Sequence, residues 1–217
     1  MDRREAARER GRQLAAEDPE GWFDRLYREA AGDPAGIPWA DLRPNPNLLS
    51  WPGLERLAPG TSACVVGCGL GDDAEELAAR GLEVTAFDVS PEAIEWCRRR
   101  WPASRVDYLA ADLFALPHEW VGMFDFVFEA YTVQPLPRDR HAEALAAVGS
   151  LVGAGGTLLV VCRGRSDGEA ATRLPWPLSP GDLRAVGLPE VRFEDFLDEL
   201  ETSGPTRRFR VEYRRAN

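Results

Sequence analysis

Gly67-Cys68-Gly69-Leu70-Gly71 interrupts the short apolar run of residues 63–66, and a helical repeat of Ala74, Leu77 and Ala78 begins directly after it. A helix that opens straight after a buried strand leaves unpaired N–H groups and a positive dipole end above the sheet. Glycines there let a ligand settle onto bare backbone. A second apolar run, residues 82–87, ends in Asp88, 17 residues beyond Gly71. An acid at the tip of the second strand is placed to accept hydrogen bonds from both hydroxyls of a ribose. At that tip it does not count as a core residue. A dinucleotide fingerprint needs a third glycine where this chain has Asp72, followed by Asp73. Two carboxylates at the helix start repel a pyrophosphate, so a cationic or zwitterionic nucleoside is the expected ligand and a nucleotide-dependent oxidoreductase is disfavoured.

Further along, residues 106–109 read as a third strand with Asp112 and Leu113 just past it, and residues 124–128 as a fourth, followed by Glu129, Ala130 and Tyr131. In a doubly wound sheet the ends of strands one and four flank the topological switch point, where ligands bind. Tyr131 is the side chain best suited to touch a reacting group there, and a core aromatic with a wet hydroxyl is the competing reading. Cys64, Cys68, Cys97 and Cys162, with His118 and His141, show no paired metal-ligand spacing, so no metal site is expected.

The glycine run with Asp88 resembles motif I and its partner acid in the class I S-adenosylmethionine-dependent methyltransferases. The resemblance implies a doubly wound, Rossmann-like α/β sheet of seven strands with a reversed last strand, and S-adenosyl-L-methionine as cofactor. It further implies cofactor contacts from Gly67, Cys68, Gly69, Gly71, Asp88 and Val89, an adenine contact from Asp112 and Leu113, and a motif IV position at Glu129 and Ala130. Most members carry an acid two residues before the first glycine, where this chain has Val65. The thiopurine and halide/thiol methyltransferases lack it too, and with the tellurite-resistance methyltransferases they are the group that this pattern is most similar to. In that group aromatics of the entry segment close over the cofactor. Here the corresponding residues are Trp22 and Trp39, with Tyr27 near the place of a second tryptophan.

These residues need positioning elements. Two helices, residues 1–16 and about 20–31, are split by Glu17-Asp18-Pro19, and the second carries Trp22, Phe23, Leu26 and Tyr27 on one face. A proline-punctuated connection with Trp39 and Trp51 leads to the first strand. Residues 1–55 are read as an aromatic lid on a core of residues 56–217, all one domain; a static helical layer is the alternative. Ser90-Pro91 starts a helix. Residues 140–152 form another, residues 153–156 turn into strand five at 157–162, and residues 163–180 make a long polar loop. Residues 181–186 form a short helix, and 191–196 with 208–213 alternate as an antiparallel pair.

With 217 residues and 44% apolar content the chain is long enough for one α/β core. Its net charge of −10 argues against a nucleic-acid partner, and the arginine groups at 98–100 and 207–214 read as solvated faces. No apolar run is long enough to span a membrane, and the N-terminus lacks the apolar core of a signal peptide. The expectation is therefore a cytoplasmic monomer or homodimer that transfers a methyl group to a small molecule. A soft thiol, selenol or halide needs no general base and suits this residue set. O- or N-methylation, and a non-catalytic cofactor-binding role, are the alternatives.

Overall fold

The computed structural model of the chain describes residues 3–19, 21–172, 174–198 and 204–217. Residues 1, 2 and 20 of the two expected N-terminal helices, and residue 173 of the long loop, lie outside the described residues. Seven strands form one sheet: β1 (Ser62–Val66), β2 (Glu83–Asp88), β3 (Asp107–Ala110), β4 (Phe124–Ala130), β5 (Val152–Arg163), β6 (Glu190–Asp198) and β7 (Thr206–Arg214). Their order is β3-β2-β1-β4-β5-β7-β6. β1, β4 and β5 pair in parallel, as do β2 and β3, while β7 runs antiparallel to both β5 and β6. This is the doubly wound sheet with a reversed last strand. The continuous apolar runs of β1, β4 and β5 are those of strands buried on both faces.

The chain divides into two compact units: residues up to 61 with 67–112, and 62–66 with 113–217. In the first, α1 (Arg3–Glu17) and α2 (Trp22–Ala30) precede a short α3 (Pro46–Leu49), with α4 (Asp72–Ala79) and α5 (Pro91–Arg100) beside β2 and β3. Gly11 of α1 admits the Trp22 ring, which would lie 3.2 Å from a Cβ at that position. α5 has the start that its sequence announces, with Ser90 Oγ accepting from Ala93 N at 3.1 Å. Asp24 of α2 joins that start: its Oδ1 accepts from Ser90 Oγ at 2.8 Å and from Glu92 N at 3.2 Å.

In the second unit α6 (His141–Ser150) and α7 (Pro180–Leu183) accompany β1 and β4–β7. β4 runs on through Glu129 and Ala130, which therefore belong to the strand and do not follow it. β5 starts at Val152, so the glycines of 153–156 are strand rather than turn. A Cβ at Gly153 or Gly156 would meet the Phe124 carbonyl oxygen at 3.3 or 2.9 Å. Glycine here serves close approach of two backbones at a register irregularity. The solvated-face reading of the arginines holds for Arg98 and Arg99, exposed and paired with Glu95 and Glu92. It fails at Arg100, which grips Asp72, and at Arg208, which is 3% exposed. Among the described residues no helix is long and apolar enough to cross a membrane.

Candidate active site

Within the first unit, Gly67, Gly69 and Gly71 all have positive φ, at 60°, 56° and 84°, the conformation in which glycine is cheapest. At Gly71 a Cβ would also collide with the Tyr108 hydroxyl. Cys68 N donates to Phe87 O at 2.9 Å, and the buried Cys97 thiol donates to Gly69 O at 3.1 Å. The loop is thus tied to β2 and to α5. Asp88 is buried, its Oδ2 accepting from Gly69 N at 3.1 Å and its Oδ1 from Ser90 N at 2.9 Å. The Val89 N–H also bonds this carboxylate, which leaves part of its capacity of about four acceptor positions for a ligand hydroxyl. Burial pushes the Asp88 carboxyl up to about 6, against the stabilising N–H groups of Ser90 and Gly69. Val89, directly after it, is an exposed apolar side chain, and Asp112 lies exposed just beyond β3.

The two acids at the start of α4 do not act as free charges. Arg100 donates to both oxygens of Asp72, at 2.5 and 2.6 Å. Asp73 accepts from Asn45 N at 2.6 Å, and burial first, then Asp72 and Glu76, push its carboxyl up to about 7. Asp72 is neutralised and Asp73 is committed to the entry segment, which corrects the simple charge argument against a pyrophosphate. What still departs from the dinucleotide fingerprint is the missing third glycine itself.

Above Gly69 lie two aromatics of the entry segment. A Cβ at Gly69 would stand 3.4 Å from Tyr27 Oη and 3.8 Å from Trp39 Cδ1. Trp39 Nε1 donates to Tyr27 Oη at 2.8 Å. Tyr27 is buried and Trp39 exposed. Burial raises the Tyr27 phenol well above its usual range, and Asp88 adds to this. The structure thus brings the glycines, Asp88, Tyr27 and Trp39 together. Trp22 stands one layer back, packed on Gly11 and edge-on to Trp39 at 5.7 Å, and its buried Nε1 has no partner among the described residues.

Within the second unit, Glu129 is fully buried at the end of β4. Its Oε1 accepts from Thr132 N at 2.8 Å and Val133 N at 3.2 Å, while Oε2 is buried with no partner among the described residues. Burial pushes this carboxyl up to about 7. The clasp holds a tight turn in which Tyr131 takes φ 62°, a left-handed conformation that costs a bulky residue about 1–3 kcal/mol. Thr132 Oγ1 donates to Val66 O at 3.0 Å. The guanidinium of Arg208 lies over the Tyr131 ring, 4.6 Å from its centroid. Buried Gln134 clamps the loop after β5, accepting from Arg163 N at 2.7 Å and donating to Trp176 O at 2.8 Å. Ala130 closes the strand and Leu113 is buried. A cavity of about 250 Å³ is lined by Arg138, His141, Arg165, Pro177 and Asp182.

Sequence reasoning missed Asp24, Cys97, Gln134 and Arg208. Each acts on a residue far off in the chain, and nothing local marks it. Among the described residues no group of three or more His, Cys, Asp or Glu side chains could hold a metal ion.

The family model described as a methyltransferase domain matches residues 64–156. Ubiquinone biosynthesis O-methyltransferase of Xanthomonas campestris pv. campestris is 34% identical over 118 residues, 54% of this chain and 48% of that protein. The chain spans about half the length of the curated relatives it matches. The N-methyltransferase NodS of Bradyrhizobium japonicum WM9, solved in complex with S-adenosyl-L-homocysteine, superposes with a TM-score of 0.66 at 20% identity, covering 89% of this chain and 97% of that one. TehB of Haemophilus influenzae gives 0.62 at 16% identity, covering 75% and 60%. The fold is that of the class I methyltransferases.

Proposed function

We propose that the chain is an S-adenosylmethionine-dependent methyltransferase of small molecules. The observation that carries this is Asp88, a buried strand-tip carboxylate bonded to the glycine loop and retaining acceptor capacity, in a segment similar to methyltransferase domains. Bound S-adenosylmethionine supplies an electrophilic methyl group on a sulphonium. The chain's part is to orient and to exclude water. Asp88 takes the ribose hydroxyls, the N–H groups of residues 67–71 meet the methionyl end, and Val89, Asp112 and Leu113 serve the adenine. Tyr27 and Trp39 cover Gly69, with Trp22 behind them, and an aromatic face attracts a cation by roughly 0.5–2 kcal/mol. Glu129 and Ala130 hold the motif IV position, and Tyr131 is the side chain assigned to the acceptor.

Calorimetric titration tests this reading: S-adenosylhomocysteine binds and NAD does not, whereas NAD binding in the absence of S-adenosylhomocysteine binding overturns it. We assign the acceptor first to soft nucleophiles, as in the thiopurine, halide/thiol and tellurite-resistance group, with the likeness to TehB in support. The name of the Xanthomonas relative favours O-methylation as the second reading. A panel of thiols, halides, phenols and carboxylates, scored by release of S-adenosylhomocysteine, separates the two. Binding without turnover over that panel leaves a cofactor-binding role. To the proposal belong a single catalytic domain with residues 1–55 as its cover, a cytoplasmic location, a monomeric or homodimeric state and no nucleic-acid partner.

A further inference from the structure

Tyr131 takes φ 62°, a region that glycine enters freely and a bulky residue does not. A conformation of this kind persists only where the surroundings over-determine it, and it concentrates at functional positions. Three fixed points hold it here. Tyr131 N donates to Val161 O of β5 at 3.1 Å. Thr132 Oγ1 donates to Val66 O of β1 at 3.0 Å. Glu129 Oε1 accepts from Thr132 N at 2.8 Å and from Val133 N at 3.2 Å, so one oxygen ties down the two residues that follow Tyr131. Glu129 itself is 0% exposed and stands in register between Val66 of β1 and Val160 of β5. A carboxyl enclosed between strands and engaged with its own turn is suited to hold that turn.

We propose that Glu129 is a positioning residue: its carboxylate closes the turn that fixes Tyr131, the side chain assigned to the methyl acceptor, and protonation of that carboxylate loosens the turn. The proposal rests on the methyltransferase reading and names what controls the acceptor residue of the same site. Two opposed influences meet on the Glu129 carboxyl. Burial, the larger, pushes it up to about 7, while the N–H groups of Val133 and Thr132 pull it down. An opened turn withdraws those N–H groups from a carboxyl that stays buried, so the opened turn holds the proton more tightly than the closed one. By linkage, losing the proton favours the closed turn. The fold as a whole runs the other way and loses stability as pH rises through about 7, because burial outweighs the two bonds. The Cys162 thiol of β5 and the Tyr213 phenol of β7 feel the Glu129 charge, and burial pushes both above their usual range, so both stay neutral around pH 7. Asp182 and Arg208, of opposite sign, act on the same thiol, and the Arg208 guanidinium lies over the Tyr131 ring.

NMR over a pH series tests the proposal. The sequence has four tyrosines, so tyrosine-selective labelling gives a short spectrum in which Tyr131 is assigned by its loss in Tyr131→Phe. In the parent protein the Thr132 and Val133 amide protons and the Tyr131 Cα signal shift together, with one midpoint at about 7. Glu129→Gln keeps an acceptor oxygen for both N–H groups and cannot ionise. It abolishes that midpoint and leaves the Tyr131 Cα signal at the parent's low-pH position at every pH. Amides that do not titrate across neutral pH, a Tyr131 signal that stays still while they do, or a Glu129→Gln variant that holds the parent's high-pH position overturns the proposal. The parent's titration decides the matter even where the variant does not fold. Calorimetry with S-adenosylhomocysteine separates the two failures. An affinity lower by about tenfold or more in folded Glu129→Gln puts the carboxyl on the cofactor and overturns the positioning role, whereas no binding to the parent, with the turn still titrating, sinks the methyltransferase reading.

Discussion

Asp88 does structural work with the same carboxyl group that the proposal assigns to the ribose. Its place at a strand tip suggests that replacing it leaves the fold alone, but the structure buries it and gives it the N–H groups of Gly69 and Ser90. Asp88→Ala strands those two donors, at about 1–3 kcal/mol each if they stay buried, and lowers the melting temperature. The same change weakens S-adenosylhomocysteine binding on the order of tenfold to several hundredfold, through the loss of charge-assisted bonds to the ribose. Calorimetry on the folded variant checks this, and unchanged affinity refutes it. A pH dependence follows. Hydroxyl donors favour the ionised carboxylate, and burial has pushed the free protein's carboxyl up to about 6. Affinity for S-adenosylhomocysteine therefore rises with pH through about 6, with a proton released on binding below that point. Titrations in buffers of different ionisation enthalpy reveal the proton, and a flat affinity across that window contradicts the assignment.

At the scale of elements, the N-terminal segment separates into a fixed part and a cover. α1 and α2 bury Leu14, Trp22, Leu26 and Tyr27, and Asp24 rivets α2 to the start of α5. Asp24→Ala should cost about 1–2 kcal/mol from two lost hydrogen bonds, seen as a lower melting temperature. Removing both helices destabilises the first unit for the same reason. The cover over the glycines narrows to Tyr27 and the connection that carries Trp39. Limited proteolysis then shows S-adenosylhomocysteine protecting residues 31–45 while leaving α1 unaffected, and identical digests with and without the ligand refute a moving cover. Much of this architecture was legible in the sequence. Ser90-Pro91 marks the start of α5, the glycine run marks the start of α4, and strict alternation marks β6 and β7. α3 was hidden because Pro46 reads as loop until Asn45 is seen to cap it, its Oδ1 accepting from Asn47 N at 2.9 Å. The glycines of β5 misled for the opposite reason, since a residue that permits turns also permits close contact between strands. Arg208 was unreadable because its burial depends on register with β5 and β6, information that no local window contains.

For the whole molecule, the charge of −10 conceals two populations of acids. Glu29, Glu194 and Asp195 are held below the usual carboxylate range by arginine partners, hydrogen bonding coming first. Asp73, Asp88 and Glu129 are pushed up by burial. A carboxyl raised in the folded state contributes stability that is fully present below its unfolded value near 4 and is lost as pH rises through the folded value. The raised acids therefore oppose the paired ones between about pH 4 and pH 7. Asp73→Asn keeps an acceptor oxygen for Asn45 N and removes one ionisation. Its gain in melting temperature over the parent is smallest near pH 4, grows to about pH 7 and then levels at a few degrees, on the scale of about 2–4 °C per kcal/mol for a chain this size. Thermal melts at a series of pH values test the sign, and a gain that shrinks with rising pH disproves it.

The Tyr27 hydroxyl that receives Trp39 has an optical consequence. Tyr27 has Trp39 and Trp96 edge-on at 5.9 and 5.7 Å, and Trp22 is 5.7 Å from Trp39. Rings this close and held at fixed angles mix their electronic transitions, so the cluster gives a chiral signature in near-ultraviolet circular dichroism. A ligand that lifts Trp39 from Gly69 alters that band, while the far-ultraviolet band set by helices and strands stays the same. Tyr27→Phe, which removes only the hydroxyl that receives Trp39 Nε1, shifts the near-ultraviolet band in the same direction with no ligand added.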